Sequence, residues 1–179
     1  MKIGIVSGSV REPRNSQEVA EWVLKHAQEK GNATYELIDL REFNVPVLTS
    51  GTHPMMAKKN YESAEVQAWS DAIDPCDAFI FVTPEYNHAV PGALKNAVDS
   101  LGPEWQNKMV AYVGYGSVGG VRAIEQWRQV FGNFSTESLR TEVNLSLFAD
   151  FKDMTEFAPT DQNVQQLQTL IEDLEKALA

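Results

Sequence analysis

The sequence predicts an α/β fold: a doubly wound, three-layer sandwich in which a parallel sheet is covered by helices on both faces. Two observations carry this. Short runs of consecutive apolar residues recur without polar alternation, as expected of strands buried on both faces. Stretches with apolar residues three and four apart lie between those runs, so five strands alternate with five helices along 179 residues.

The elements follow in order. KIGIVSG (2 to 8) is the first strand, with no polar alternation. In SQEVAEWVLKHAQEKG (16 to 31), Val19, Trp22, Val23 and Ala27 share one helical face, Ser16 can act as N-cap, and Gly31 stands where a helix should end. TYELIDL (34 to 40) is the second strand, and the region from about Tyr61 to Ile73 is the second helix. AFIFVT (78 to 83) is fully apolar, and PGALKNAVDSL (91 to 101) is a helix with Pro91 in its first turn, where a missing N–H costs nothing. MVAYVGYG (109 to 116), VRAIEQWRQVF (121 to 131), EVNLSLF (142 to 148) and a helix over 161 to 178 complete the alternation. Trp22 and Trp127 fall on apolar faces and are read as core, while Trp105 either packs or borders a binding site. The longest loop runs from Pro46 to Lys59 and is a lid or a subunit contact.

Length and charge bound the function. One domain over 1–179 is the simplest organisation. A formal net charge of -10 argues against a protein that coats nucleic acid or anionic membrane, because either polyanion is repelled before contact. Any anion must therefore be gripped locally. Cys76 is the single cysteine, so an intramolecular disulfide and a thiolate metal cluster are excluded, which suits a reducing cytosol. The first residues, MKIGIVSGS, do not resemble a signal peptide, and no run of about 20 apolar residues follows. The expectation is a cytoplasmic protein.

In such a sheet a ligand sits beyond the carboxyl ends of the strands, where strand order reverses. After the first strand, SGSVREPRNSQ (7 to 17) offers the Ser9 and Ser16 hydroxyls, the Arg11 and Arg14 guanidinium groups, and a helix N-terminus aimed at the same place. Together these favour a phosphate, since the helix end is partially positive and arginine binds phosphate oxygens in pairs. After the fourth strand, GYGSVGG (114 to 120) matches G-x-G-x-x-G, but too late in the chain for a dinucleotide fingerprint. Ser117 is no hydrolase nucleophile, because its flanks are not G-x-S-x-G and no histidine follows His88. Two uses stay open for this loop: bare backbone approaching a flat ring, or packing alone. Between these loops, Thr83, Pro84, Glu85, Tyr86 and Asn87 end the third strand. Pro84 stiffens the exit, Tyr86 offers an aromatic face, and the N–H groups of 85 to 87 can point at a planar heterocycle. Phosphate clamp, aromatic surface and exposed amides suit a flavin mononucleotide, FMN.

GSVREPR, PEYNHAVPGALKNAVD and GYGSVGG closely resemble the NAD(P)H-dependent FMN reductases of the flavodoxin-like fold, which include quinone, azo-dye and chromate reductases; the resemblance runs from about residue 2 to 150. It implies a five-stranded parallel sheet of order 2-1-3-4-5. It also implies that Ser9, Arg11 and Ser16 hold the phosphate, that Pro84, Glu85, Tyr86 and Asn87 line the isoalloxazine ring, and that Gly116, Ser117 and Gly119 approach its other edge. Many relatives have serine where this chain has Arg14 and asparagine where it has Ser16, so Arg14 would supply charge in place of a hydroxyl. The implied reaction is hydride transfer from NADPH or NADH to FMN and on to a small acceptor: a quinone, an azo compound, a metal oxyanion or free flavin. No catalytic side chain and no metal are implied, since the flavin carries the chemistry. A homodimer or homotetramer is the expected assembly.

Two rivals share much of this pattern. A flavodoxin-type electron carrier would have the same fold, acidity and FMN, but its phosphate loop is rich in hydroxyls and lacks arginines. A phosphate-switch receiver needs acids where this chain has Ser7 and Thr83. A flavin-free binding module is the third alternative.

Overall fold

The computed structural model describes residues 1–179. Five strands, β1 (Lys2–Ser7), β2 (Thr34–Asp39), β3 (Ala78–Pro84), β4 (Met109–Gly116) and β5 (Glu137–Ser146), form one sheet of order β2-β1-β3-β4-β5. Every pairing in it is parallel. The expected order is therefore observed.

Strand periodicity divides the core. Ile3, Ile5, Ile80, Val82 and Val113 point to one face, where they meet Val19, Val23 and Ala27 of α1 (Ser16–Lys30) and Leu167, Leu170 and Leu174 of α6 (Asp161–Leu178). Val6, Phe79, Phe81 and Tyr112 point to the other, covered by α3 (Ala64–Ile73), α4 (Gly92–Asp99) and α5 (Val121–Gly132). This second core is aromatic. The Trp105 ring is 5.2 Å from Phe79 and 5.5 Å from Phe131, edge to face, and is fully buried, so it packs and does not border a site. Cutting one such ring back to alanine costs about 3–5 kcal/mol. Trp127 is also buried and donates its indole N–H to Thr83 Oγ1 at 3.0 Å. Cys76 lies in the same core, and burial pushes its thiol up to about 11, leaving it unreactive.

Several boundaries differ from the sequence reading. Ser16 is the first residue of α1 and not its cap; Asn15 takes that position, with no side-chain cap bond. Pro91 is the N-cap of α4 instead of lying in its first turn. β5 begins at Glu137, five residues before the apolar run, because an edge strand with one exposed side can carry polar residues such as Glu137 and Arg140. Its register slips between Val110 and Tyr112, whose partners are Ser138 and Glu142. A short helix, α2 (Leu40–Phe43), follows β2, and a small hairpin of β6 (Phe151–Lys152) and β7 (Glu156–Phe157) precedes α6.

Two polar clusters tie the periphery. Glu104, fully buried, accepts from Tyr61 Oη, Ser70 Oγ and the Gly102 N–H at 2.6–3.0 Å, which ties Tyr61, just past the long loop, and α3 to the segment after α4. Glu175 of α6 accepts from the N–H groups of Asn32 and Ala33 and from Tyr35 Oη, at 2.6, 2.8 and 2.7 Å.

Candidate functional site

The carboxyl ends of β1, β3, β4 and β5 surround a cleft of about 190 Å³. Seven of the residues expected at a site line it: Ser9, Arg11, Arg14, Pro84, Glu85, Tyr86 and Gly116. Ser16, Asn87, Ser117 and Gly119 lie outside its lining.

The loop after β1 supplies the polar end. Its start is fixed by packing, since a Cβ on Gly8 would fall 2.5 Å from Leu94 Cδ2 and 3.1 Å from the Val82 carbonyl. Ser9 is buried, and its Oγ lies 2.7 Å from Tyr86 Oη, joining the loops after β1 and β3. Ser16, also buried, accepts from Ser7 Oγ at 3.1 Å. These hydroxyls surround Tyr115, whose phenol burial pushes well above the ordinary range. The Arg11 guanidinium is exposed and stands 5.9 Å from the centre of the Tyr86 ring.

Arg14 is placed differently from the sequence expectation. Both terminal nitrogens meet Asp39 at the end of β2, and Nη1 also donates to the Ser9 carbonyl at 3.0 Å. Those nitrogens hold the loop. Its Nε, by contrast, is buried without a partner, in a side chain only 7% exposed. With the uncapped N-terminus of α1 beside it, one buried donor and several backbone N–H groups await an acceptor. An anion fits that donor set.

The loop after β3 is a tight hairpin turn. Tyr86 and Ala89 exchange two backbone hydrogen bonds of 3.0 and 3.1 Å across Asn87 and His88, whose φ values of 51° and 73° are left-handed. The expectation that the N–H groups of 85 to 87 are all free is corrected here. Glu85 N–H donates to the Tyr115 carbonyl and Tyr86 N–H to Ala89, which leaves the Asn87 amide alone. Glu85 is oriented by α5: its carboxylate accepts from the Arg122 N–H at 3.1 Å and from Arg122 Nη1 at 2.8 Å. That pairing offsets a negative charge at the cleft wall.

Packing and backbone conformation demand glycine at Gly114 in β4 and at Gly119 and Gly120 after it. A Cβ on Gly114 would lie 2.8 Å from the Gly119 carbonyl, and Gly119 and Gly120 both have φ of +74°. Gly116 differs, because it lines the cleft beside Glu85, whose Cβ would lie 3.3 Å from a Cβ placed there.

The remaining walls were not foreseen. Tyr115, Leu147, Met154 and Thr155 line the cleft too. The rule that places ligands at strand carboxyl ends covers Tyr115 and Leu147, at the ends of β4 and β5.

Comparison with known proteins adds four findings. The model of a family described as NADPH-dependent FMN reductase matches residues 1–150. An NAD(P)H-dependent FMN reductase of Schizosaccharomyces pombe is 36% identical over 131 residues, 73% of this chain and 66% of that protein, so the chain spans just under two thirds of that relative's length. A quinone reductase of Pseudomonas putida is 30% identical over 138 residues, 71% of this chain and 67% of that one. Among solved structures, the flavoenzyme NAD(P)H:(acceptor) oxidoreductase of Paracoccus denitrificans superimposes with a TM-score of 0.75 at 20% identity, over 98% of this chain and 97% of that one, and shares the fold.

Proposed function

This chain belongs to the NADPH-dependent FMN reductase family, and on that premise we propose that it is a single-domain oxidoreductase that binds FMN in the cleft, accepts hydride from NADPH or NADH, and passes it to a small acceptor. The observation that carries this reading is the anion-ready end of the cleft, where the buried Arg14 Nε and the uncapped start of α1 lack acceptors. A terminal phosphate supplies them.

In this reading Ser9, Arg11, Ser16 and the first N–H groups of α1 hold the phosphate. Arg14 contributes Nε while Asp39 holds the rest of its guanidinium in place. Pro84, Glu85, Tyr86 and Asn87 line one side of the ring, and Gly116, Ser117 and Gly119 approach the other. FMN supplies the hydride-carrying centre when bound. The protein's own work is to position and to balance charge. The Ser9–Tyr86 hydrogen bond fixes the phenol, and Arg122 neutralises Glu85 so that the cleft does not repel an anion. The Asn87 N–H, free of protein partners, is a donor for a ring carbonyl or nitrogen.

The quinone reductase among the relatives supports a quinone as one acceptor, and the arginines of the first loop count against a pure electron carrier. We place the protein in the cytoplasm, and no helix is long and apolar enough to cross a membrane. A homodimer or homotetramer is supported by exposed apolar residues beyond the carboxyl ends of β4 and β5: Val118, Val121 at the start of α5, and Phe148, the last 71% exposed.

The test is the visible spectrum of the protein with stoichiometric FMN, before and after anaerobic NADPH. Bleaching of the bound-flavin band is expected. Bound flavin that NADPH leaves unchanged would replace this reading with the electron carrier, and absence of binding would overturn the site.

A further inference from the structure

The hairpin of β6 and β7 lies just beyond residue 150, where the family match ends, yet its tip reaches the cleft. Its root is well anchored. Phe151 is 5% exposed and packs 6.2 Å from the Tyr115 ring and 5.1 Å from Phe157, which in turn meets Trp22 of α1 edge-on at 5.3 Å.

The hairpin is tied to the start of α1 by two hydrogen bonds, one at its tip and one at its base. Asn15 Nδ2 donates to the Met154 carbonyl at 3.1 Å, and the Phe157 N–H donates to Glu18 in the first turn of α1 at 3.0 Å. Asparagine at an N-cap ordinarily accepts from its own helix. Here Asn15 turns to the hairpin, and α1 keeps its leading N–H groups uncapped. The same contact sets Met154 and Thr155 into the lining of the cleft beside Arg14 and Asn15.

We infer that this hairpin is the end wall of the anion site, and that Met154 and Thr155 make the cleft selective for a flavin ending in a monophosphate over one whose phosphate carries a second nucleotide. The inference rests on the proposed FMN reading. A phosphate at the start of α1 abuts Asn15 and the tip. A diphosphate must continue through the space the tip fills, so the longer flavin is rejected by a clash and the shorter one keeps its contacts.

Flavin-fluorescence titrations with FMN, FAD and riboflavin test this on the full chain. The wild type is expected to bind FMN at least 100-fold more tightly than FAD. Met154→Gly with Thr155→Ala should narrow that ratio at least tenfold and speed FMN dissociation in stopped flow. Met154 has φ of 59°, which glycine adopts freely, so this variant should melt near the wild-type temperature. Asn15→Ala, which removes the hydrogen bond at the tip without altering the hairpin sequence, should shift the ratio the same way and covers the case in which the first variant does not fold. Equal FMN and FAD affinity in the wild type, or an unchanged ratio in the folded variants, overturns the end wall while leaving FMN binding intact. Wild-type protein that binds no flavin, or binds riboflavin as tightly as FMN, overturns the phosphate reading beneath it.

Discussion

Arg14 and Asp39 meet in a two-point ion pair that joins the loop after β1 to the carboxyl end of β2, with Nη1 2.6 Å from Oδ1 and Nη2 against Oδ2. Their side chains are 7% and 16% exposed, so the pair is largely withdrawn from water. Removing one partner strands the other charge. Asp39→Ala should therefore cost about 3 kcal/mol in urea unfolding, and it should also weaken FMN binding, because the loop that carries Ser9 and Arg11 loses its brace. A loss of stability below about 0.5 kcal/mol would show that water already screens the pair.

Arg11 offers the contrast. Its guanidinium is exposed and makes no ion pair. Arg11→Ala should leave the melting temperature unchanged and lower FMN affinity about 10- to 100-fold, the range for losing charge-assisted hydrogen bonds of about 1.5–3 kcal/mol. Riboflavin affinity should not move. An unchanged FMN affinity would remove Arg11 from the phosphate site.

Glu104 predicts a purely structural effect. Three donors converge on its fully buried carboxylate, and burial raises the Tyr61 phenol beside it. Glu104→Ala strands those donors and should cost about 3 kcal/mol or more. The loop from Pro46 to Lys59 should then be cut faster by protease, while flavin affinity stays the same.

His26 predicts a pH effect. Both ring nitrogens are buried without partners, and burial lowers its pKa against the weaker raising influence of Glu29; Lys25 and Lys30 lower it further. The unfolded chain then binds a proton more readily than the folded one. Stability is complete above the ordinary histidine pKa of about 6.5 and falls as pH drops below it. Urea midpoints at pH 8 and pH 5 should show the decline, and His26→Leu should flatten it.

Much of this architecture is written in local pattern. KIGIVS, AFIFVTP and MVAYVGYG are buried on both faces, and burial on both faces demands the apolar runs that reveal them. The helix over Asp161–Leu178 is legible for a similar reason, since Leu167, Leu170, Ile171 and Leu174 keep helical spacing. What escaped depends on distant partners or on short elements. Glu137 pairs by backbone on an edge where polarity is permitted. The strands of the small hairpin have two residues each, too few to show a period. The arginines of the first loop are visible as charge, but that Arg14 answers to Asp39, 25 residues away, is a fact of tertiary packing. The commitment of the Glu85 and Tyr86 amides is likewise invisible until the turn closes.

Glu175 holds the turn between α1 and β2 across 143 residues of chain. A ribosome working at about 5–20 residues per second needs roughly 7 to 30 s to add them. Through nearly all of that interval Val19, Val23 and Ala27 are already made, while Leu167, Leu170 and Leu174, which cover the same core, are not. All the strands of the sheet and the loops after β1, β3 and β4 emerge before that cover exists. The nascent protein thus passes through a stage with its cleft nearly assembled and one greasy side bare, which is the stage at which a chaperone would have most to do.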